Sequence, residues 1–201
     1  MTSDTRERIT TSASTLFRRQ GYTGTGLTQI AAESRANVGS IYHFFDGGKE
    51  ALAEEVVQRG GAAYGAMVLA LLNTGAPDPV DSLGRAFEQA AGDLQSTDYA
   101  DACPIATIAL ETANTHDRIR AATAGVFEDW IEQLTIFCGR ITSDPTAARD
   151  LATTFLTMLE GAFVLARSMR DPEPLITAGR SIVQLATAIR SCPVQQKPAT
   201  A

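Results

Sequence analysis

The stretch "LTQIAAESRANVGSIYHFFDGGKE", Leu27–Glu50, decides how the first quarter of the chain folds. "LTQIAAES" reads as a short helix, a tight link follows around Arg35–Asn37, and a second short helix is expected over Val38–Phe45. Asn37 is the expected N-cap, because its side-chain oxygen can accept a free backbone N–H of the first turn. Two short helices joined by a link of about three residues have the spacing of a helix-turn-helix. In the second helix Ile41, Phe44 and Phe45 form a core face at three-to-four spacing, which leaves Tyr42 and His43 pointing elsewhere. A helix entering the DNA major groove needs small or polar residues at its N-terminus, and Asn37, Gly39 and Ser40 fit. A tyrosine hydroxyl and an imidazole N–H suit flanking phosphates. Lys49 adds positive charge beside the N-terminus of the next helix, an end that already favours anions.

Outward from this stretch, almost everything reads as helix. Upstream, Ile9, Ala13, Leu16 and Phe17 make one apolar face, and "QGY" (Gln20–Tyr22) stops it with Gly21 as the C-cap glycine. Downstream, a long helix starts near Lys49 and runs through "EALAEEVVQRGGAAYGAMVLALL". Gly60, Gly61 and Gly65 each weaken it by roughly 1 kcal/mol relative to alanine, which allows a bend. Further helices carry Leu83, Phe87, Ala90, Ala91 and Leu94; then Ile119 through Ile141; then Leu151 through Ala166; then Leu175 through Ile189. Pro104 suits a first helical turn in "CPIATIALE". "PVQQKPATA" at 193–201 is expected to be a disordered tail. No alternating strand pattern and no internal repeat is found, so the fold class is all-α.

Charge narrows the partners. The net charge of −6 argues against a general binder of nucleic acid or anionic membrane. The average hides a split: through Glu50 six bases (Arg6, Arg8, Arg18, Arg19, Arg35, Lys49) meet five acids, so this segment is near +1 and the rest near −7. Only the first quarter can meet a phosphate backbone without strong repulsion. The N-terminus lacks the apolar run of a signal peptide, and "AMVLALL" is too short to span a bilayer. Cys103, Cys138 and Cys192, odd in number and widely spaced, suit reduced thiols in a cytoplasm better than a disulfide framework or zinc site.

Two chemical readings are set aside. "GTG" (Gly24–Gly26) lacks a preceding strand and a third glycine, and "DGGKE" lacks P-loop spacing, so no nucleotide cofactor is expected. His43 and His116 have no nearby sequence partner for triad or metal chemistry, so neither an enzyme nor a metal site is expected.

The first fifty residues resemble the TetR family of bacterial transcriptional repressors, on "LFRRQGY", "TGLTQIAAES" and "GSIYHFFDGGKEAL" in that order. "TGLTQI", the doubled glycine before Lys49 and "CPIATIALE" look like its LmrA/YxaF-like branch. The resemblance implies a helix-turn-helix DNA-binding domain over 1–48 and a helical ligand-binding and dimerisation domain over 49–192. It puts Thr25, Tyr42, His43 and Lys49 on phosphates, and Asn37, Val38, Gly39 and Ser40 towards the bases. Two positions depart from the family pattern. Arg35 stands where glycine is usual, strained if its φ is positive, and offers a replacement charge. Val38 stands where lysine is common.

The implied partners are double-stranded operator DNA, a small-molecule effector and a second copy of the chain, joined through the last two long helices. Independently, the Leu151–Arg167 helix bears Leu156, Val164 and Leu165 off its main face, and a helix apolar over most of its girth needs cover on two sides. "EGAF" (Glu160–Phe163) offers small residues for close helix approach. Candidate effector contacts are Met67, Phe87, Cys103, Ile105, Phe127, Trp130, Leu134, Met158 and Phe163, apolar groups with a few polar atoms, as pockets require. An alternative, motivated by Arg35, Val38 and the acidic balance, is a small-molecule-binding protein that keeps the fold without DNA recognition.

Overall fold

The computed structural model describes residues 2–74, 76–101 and 103–191. The expected tail at 193–201, and Cys192, lie outside the described residues. Among those described, nine α-helices and no strand form: α1 (Thr2–Gln20), α2 (Leu27–Glu33), α3 (Val38–Phe44), α4 (Lys49–Thr74), α5 (Pro79–Ser96), α6 (Pro104–Thr112), α7 (Asp117–Cys138), α8 (Pro145–Met169) and α9 (Glu173–Ser191). None of them is long and apolar enough to cross a membrane.

Local chemistry sets most helix ends. Gly21 ends α1 with φ +79°, a left-handed conformation that costs glycine nothing, and its N–H donates to the Phe17 carbonyl. Asp144 caps α8, its carboxylate accepting from the N–H groups of Thr146 and Ala147, with Pro145 in the first turn. Cys103 caps α6 through its sulfur, which accepts from the Ala106 N–H at 3.5 Å. α4 runs unbroken through Gly60, Gly61 and Gly65. At Gly61 a side chain would put its Cβ 2.5 Å from Val126 of α7, so close packing requires the bare backbone there.

The contacts divide the chain into two compact units. The first comprises Met1–Met67 with Thr97–Asp129, and so groups α6 and the start of α7 with the N-terminal helices. α1 packs on α2, α3 and α6, and its predicted face, Ile9, Ala13, Leu16 and Phe17, is buried. Burying each large member of that face contributes about 1.5–3 kcal/mol. Arg6 pairs with Glu55, and Arg59 reaches Glu7 at 2.7 Å, which ties α1 to α4. Arg118 of α7 pairs with Glu54 of α4.

The second unit comprises Val68–Ser96 with Trp130–Ala201. Here α5, α8 and α9 pack together, and Phe87 meets Phe155 edge to face with centroids 5.1 Å apart. A Cβ on Gly179 of α9 would lie 2.9 Å from the Phe87 Cβ, so that glycine sets how closely α9 approaches α5. Arg190 closes the end of α9 onto Asp78 with two contacts of 2.9 and 2.8 Å.

Three expectations need correcting. Phe44 is half-buried rather than core, because α3 ends there and Phe45 swings inward in extended backbone. Leu156 belongs to the buried face of α8, whereas Val164 and Leu165 are exposed. On α9, Leu185 is exposed while Leu175, Ala178 and Ile182 are buried.

Candidate nucleic-acid interface

The link between α2 and α3 turns through Arg35, whose φ is +53°. Its N–H donates to Ala32 O at 3.2 Å and the Ala36 N–H donates to Ala31 O at 2.9 Å, the double closure of a helix end that normally carries glycine. Ser34 is buried and its carbonyl accepts from the Arg8 Nε at 3.0 Å, so α1 holds the turn from behind. That support is a long-range contact invisible in the local pattern.

α3 starts where predicted. The Asn37 Oδ1 accepts from the Ser40 N–H at 2.7 Å and from its hydroxyl at 3.1 Å. Ile41 is fully buried, while Gly39, Tyr42 and His43 are exposed at the three-to-four spacing of one outer face. Asn37 and Arg35 are exposed beside them, and Val38 and Ser40 are half-buried. The His43 ring sits edge-on to Phe44 at 5.0 Å.

Tyr42 is 59% exposed, yet its ring has a seat. Gly48, at φ +63°, leaves room that a Cβ would take from Tyr42 Cε1, at 2.8 Å. The doubled glycine therefore does two things: it turns the chain into α4 and lets the Tyr42 ring lie against backbone. The sequence signal was visible as "DGGK", although its tie to Tyr42 was not.

Lys49, at the start of α4, is half-buried, with its ammonium 4.2 Å from the centroid of the Tyr22 ring. Burial pulls the ammonium below its usual range, and the nearby Glu111 carboxylate opposes that shift. Tyr22 is raised, first by its own burial and then by Glu50. Thr25 is buried and its hydroxyl donates to Gly21 O at 2.8 Å, so in this conformation that proton closes the loop.

Most other bases of this region are engaged within the protein. Arg8 pairs with Asp4, Arg18 and Arg19 meet Asp101, and Arg6 lies over the Phe45 ring while pairing with Glu55. Arg35 takes part in none of these pairs. Arg35 and Lys49, which bracket α3 in the sequence, are the two bases of this segment outside the ion pairs just named.

The nine candidate effector contacts fall in both units. Met67, Cys103, Ile105 and Phe127 belong to the first unit, and Phe87, Trp130, Leu134, Met158 and Phe163 to the second. Met67 is 52% exposed, Phe127 and Met158 are half-buried, and the other six are buried. A cleft of about 280 Å³ in the first unit shares none of them; Gln58 and Ala62 of α4 and Ala121, Gly125, Val126 and Asp129 of α7 line it.

Comparison with known proteins gives concordant matches at both ends. Residues 9–56 match the profile for bacterial regulatory proteins of the tetR family. Residues 79–181 match the C-terminal domain of LmrA/YxaF-like transcriptional regulators. The HTH-type transcriptional regulator YxaF of Bacillus subtilis is 34% identical over 182 residues, covering 89% of this chain and 93% of that protein. LmrA of the same organism, also an HTH-type transcriptional regulator, is 29% identical over 182 residues, covering 90% and 96%. In fold, the regulatory protein TetR from Rhodobacter sphaeroides superposes with a TM-score of 0.79 at 20% identity, covering 89% of this chain and 97% of that one.

Proposed function

The chain belongs to the TetR family of bacterial transcriptional regulators, in its LmrA/YxaF-like branch, and from that premise we propose that it is a cytoplasmic, homodimeric repressor released from its operator by a small apolar or aromatic effector. It is a DNA-binding regulator and not an enzyme. In this reading residues 1–48 are the reading head and 49–192 carry effector binding and dimerisation.

The observation that carries the reading is the division of α3 by face. Ile41 is locked inside, while Gly39, Tyr42 and His43 stand outside, with Tyr42 seated on Gly48 and Lys49 adjacent in sequence. Asn37, Val38, Gly39 and Ser40 meet base edges; Tyr42, His43, Lys49 and Arg35 meet phosphates; and Thr25 acts by shaping the loop. Dimerisation rests on the outer side of α8, where Val164, Leu165 and Met169 are exposed and the space beside Gly161 is open. Exposed apolar groups clustered on one helix side mark an interface. Two heads then read the two halves of a palindrome. The effector lies against apolar groups of the C-terminal helices, among them Phe87, Trp130, Leu134 and Phe163, and acts only through its differential affinity for two conformations.

A gel-shift against the DNA upstream of its own gene, in low salt, tests the reading. Wild-type protein retards that DNA, and Tyr42→Ala weakens binding by about tenfold or more, since one hydrogen bond is lost from each head. Binding that is absent, or unaltered by Tyr42→Ala, refutes it. One observation favours a second reading, a small-molecule-binding protein without DNA recognition: Arg6, Arg8, Arg18 and Arg19 are spent on internal ion pairs. The same gel-shift decides between them.

A further inference from the structure

Glu111, in the last turn of α6, reaches out of its own helix into the loop after α1. Its Oε2 accepts the Thr23 N–H at 2.6 Å, a bond spanning 88 residues of sequence. Its other oxygen fills the space where a side chain on Gly21 would begin, 1.8 Å from that position. Gly21 is thus required twice, by its positive φ and by the carboxylate packed on it. The same carboxylate acts electrostatically on Lys49, whose ammonium lies over Tyr22, and Tyr22 is wedged edge-on by His116 just beyond α6 at 5.0 Å. At the opposite end of α6, Asp101 holds Arg18 and Arg19 of α1 at 3.1 and 3.3 Å. α6 is therefore pinned to the end of α1 in front and behind, with Glu111 at the end nearer Lys49.

We propose that Glu111 is a positioning residue for DNA binding, whose carboxylate fixes the Gly21–Thr25 loop and, through it, the Lys49 ammonium in the arrangement that meets a phosphate. The inference rests on the DNA-binding reading above. Its physical content is that a loop with few bonds of its own is held by one long-range acceptor, while the lysine beside it lies with its ammonium over the Tyr22 ring of that loop. A pre-placed cation loses less side-chain freedom on meeting a phosphate, and any movement of α6 is felt at Lys49.

The test uses the full-length dimer, with DNA from upstream of its own gene as the probe. Glu111→Ala removes acceptor and charge together, and its affinity is expected to fall about tenfold, the cost of one charge-assisted hydrogen bond. Glu111→Gln keeps an acceptor for Thr23 and is expected to stay within about threefold of wild type. In a double-mutant cycle the Glu111→Ala loss shrinks markedly in a Lys49→Ala background, because the two act through one contact. Hydrogen exchange adds a readout independent of DNA: the Thr23 amide exchanges faster in Glu111→Ala and at the wild-type rate in Glu111→Gln. Additive losses in the cycle overturn the proposal, as does Glu111→Ala protein that binds like wild type or keeps a protected Thr23 amide. If wild-type protein retards no DNA, it is the DNA reading that fails, and Thr23 exchange still decides whether Glu111 holds the loop.

Discussion

Arg35→Gly is expected to move stability and DNA affinity in opposite directions. Arg35 sits at φ +53° with the turn closed around it by the Arg35 and Ala36 N–H groups. A residue with a Cβ in this conformation costs about 1–2 kcal/mol. Glycine removes that cost but gives back about 0.5–1 kcal/mol through the extra freedom of the unfolded chain. The net gain is roughly 0.5–1 kcal/mol, which for a chain of this length raises Tm by about 1–4 °C. The hydrogen bonds of the turn are unaffected, because glycine adopts the same backbone angles. On DNA the change removes a cation from each head. With a counterion-release slope of about 0.9 per phosphate, two lost contacts take about 1.8 from the log–log salt dependence, or roughly sixtyfold in affinity at 0.1 M salt. Thermal melting gives the first quantity, and fluorescence anisotropy on operator DNA across a salt series gives the second. A lowered Tm refutes the strain argument; an unchanged salt slope refutes the phosphate contact.

Other positions test other parts of the molecule. Gly48→Ala combines a left-handed backbone, costing roughly 1 kcal/mol, with a 2.8 Å approach to Tyr42 Cε1, and should weaken DNA binding at least as much as Tyr42→Ala. Wild-type affinity in that variant would show that Tyr42 needs no seat. Asp78 lies below its ordinary value of 3.8, first because Arg190 hydrogen-bonds its carboxylate and then because the Val80 N–H does. Its contribution is therefore present above that ordinary value and lost as pH falls through the lower folded one, so Asp78→Asn should flatten the stability curve below about pH 5 in urea titrations; curves identical to wild type in shape would sink the idea. Burial pushes the Cys138 thiol up to about 12, which leaves about one part in ten thousand as thiolate at pH 8. Mass spectrometry should find Cys138 unalkylated by iodoacetamide in folded protein and modified once urea unfolds it; equal rates would contradict its burial. Leu165→Glu, on the exposed side of α8, should convert dimer to monomer by light scattering while leaving the helical circular dichroism intact, and a persistent dimer would place the interface elsewhere.

The sequence was most legible where structure depends on neighbours within four residues. Gly21 as a C-cap, Asn37 as an N-cap and the buried stripe Ile9–Ala13–Leu16–Phe17 all follow from short-range geometry and are observed. Legibility failed at element ends: Phe44 and Phe45 look alike in sequence, but α3 stops between them, so the backbone and not the period decides which ring goes inside. It failed again for Leu156 and Leu165, two leucines of one helix, the first buried and the second left to water in the single chain. The effector candidates fall in both units, and an apolar residue at helical spacing carries no mark of which unit it joins.

The sequence by itself determined the helical class, the helix-turn-helix and the residues facing outward on α3, because caps, glycine turns and a 3.6-residue period are local physics. Which charges remain for a partner was settled only in three dimensions. Arg6 is engaged by Glu55 across 49 residues, and the loop after α1 is held by Glu111 across 88. Those pairings depend on where helices cross, and no stretch of chain short enough to show a pattern contains both partners.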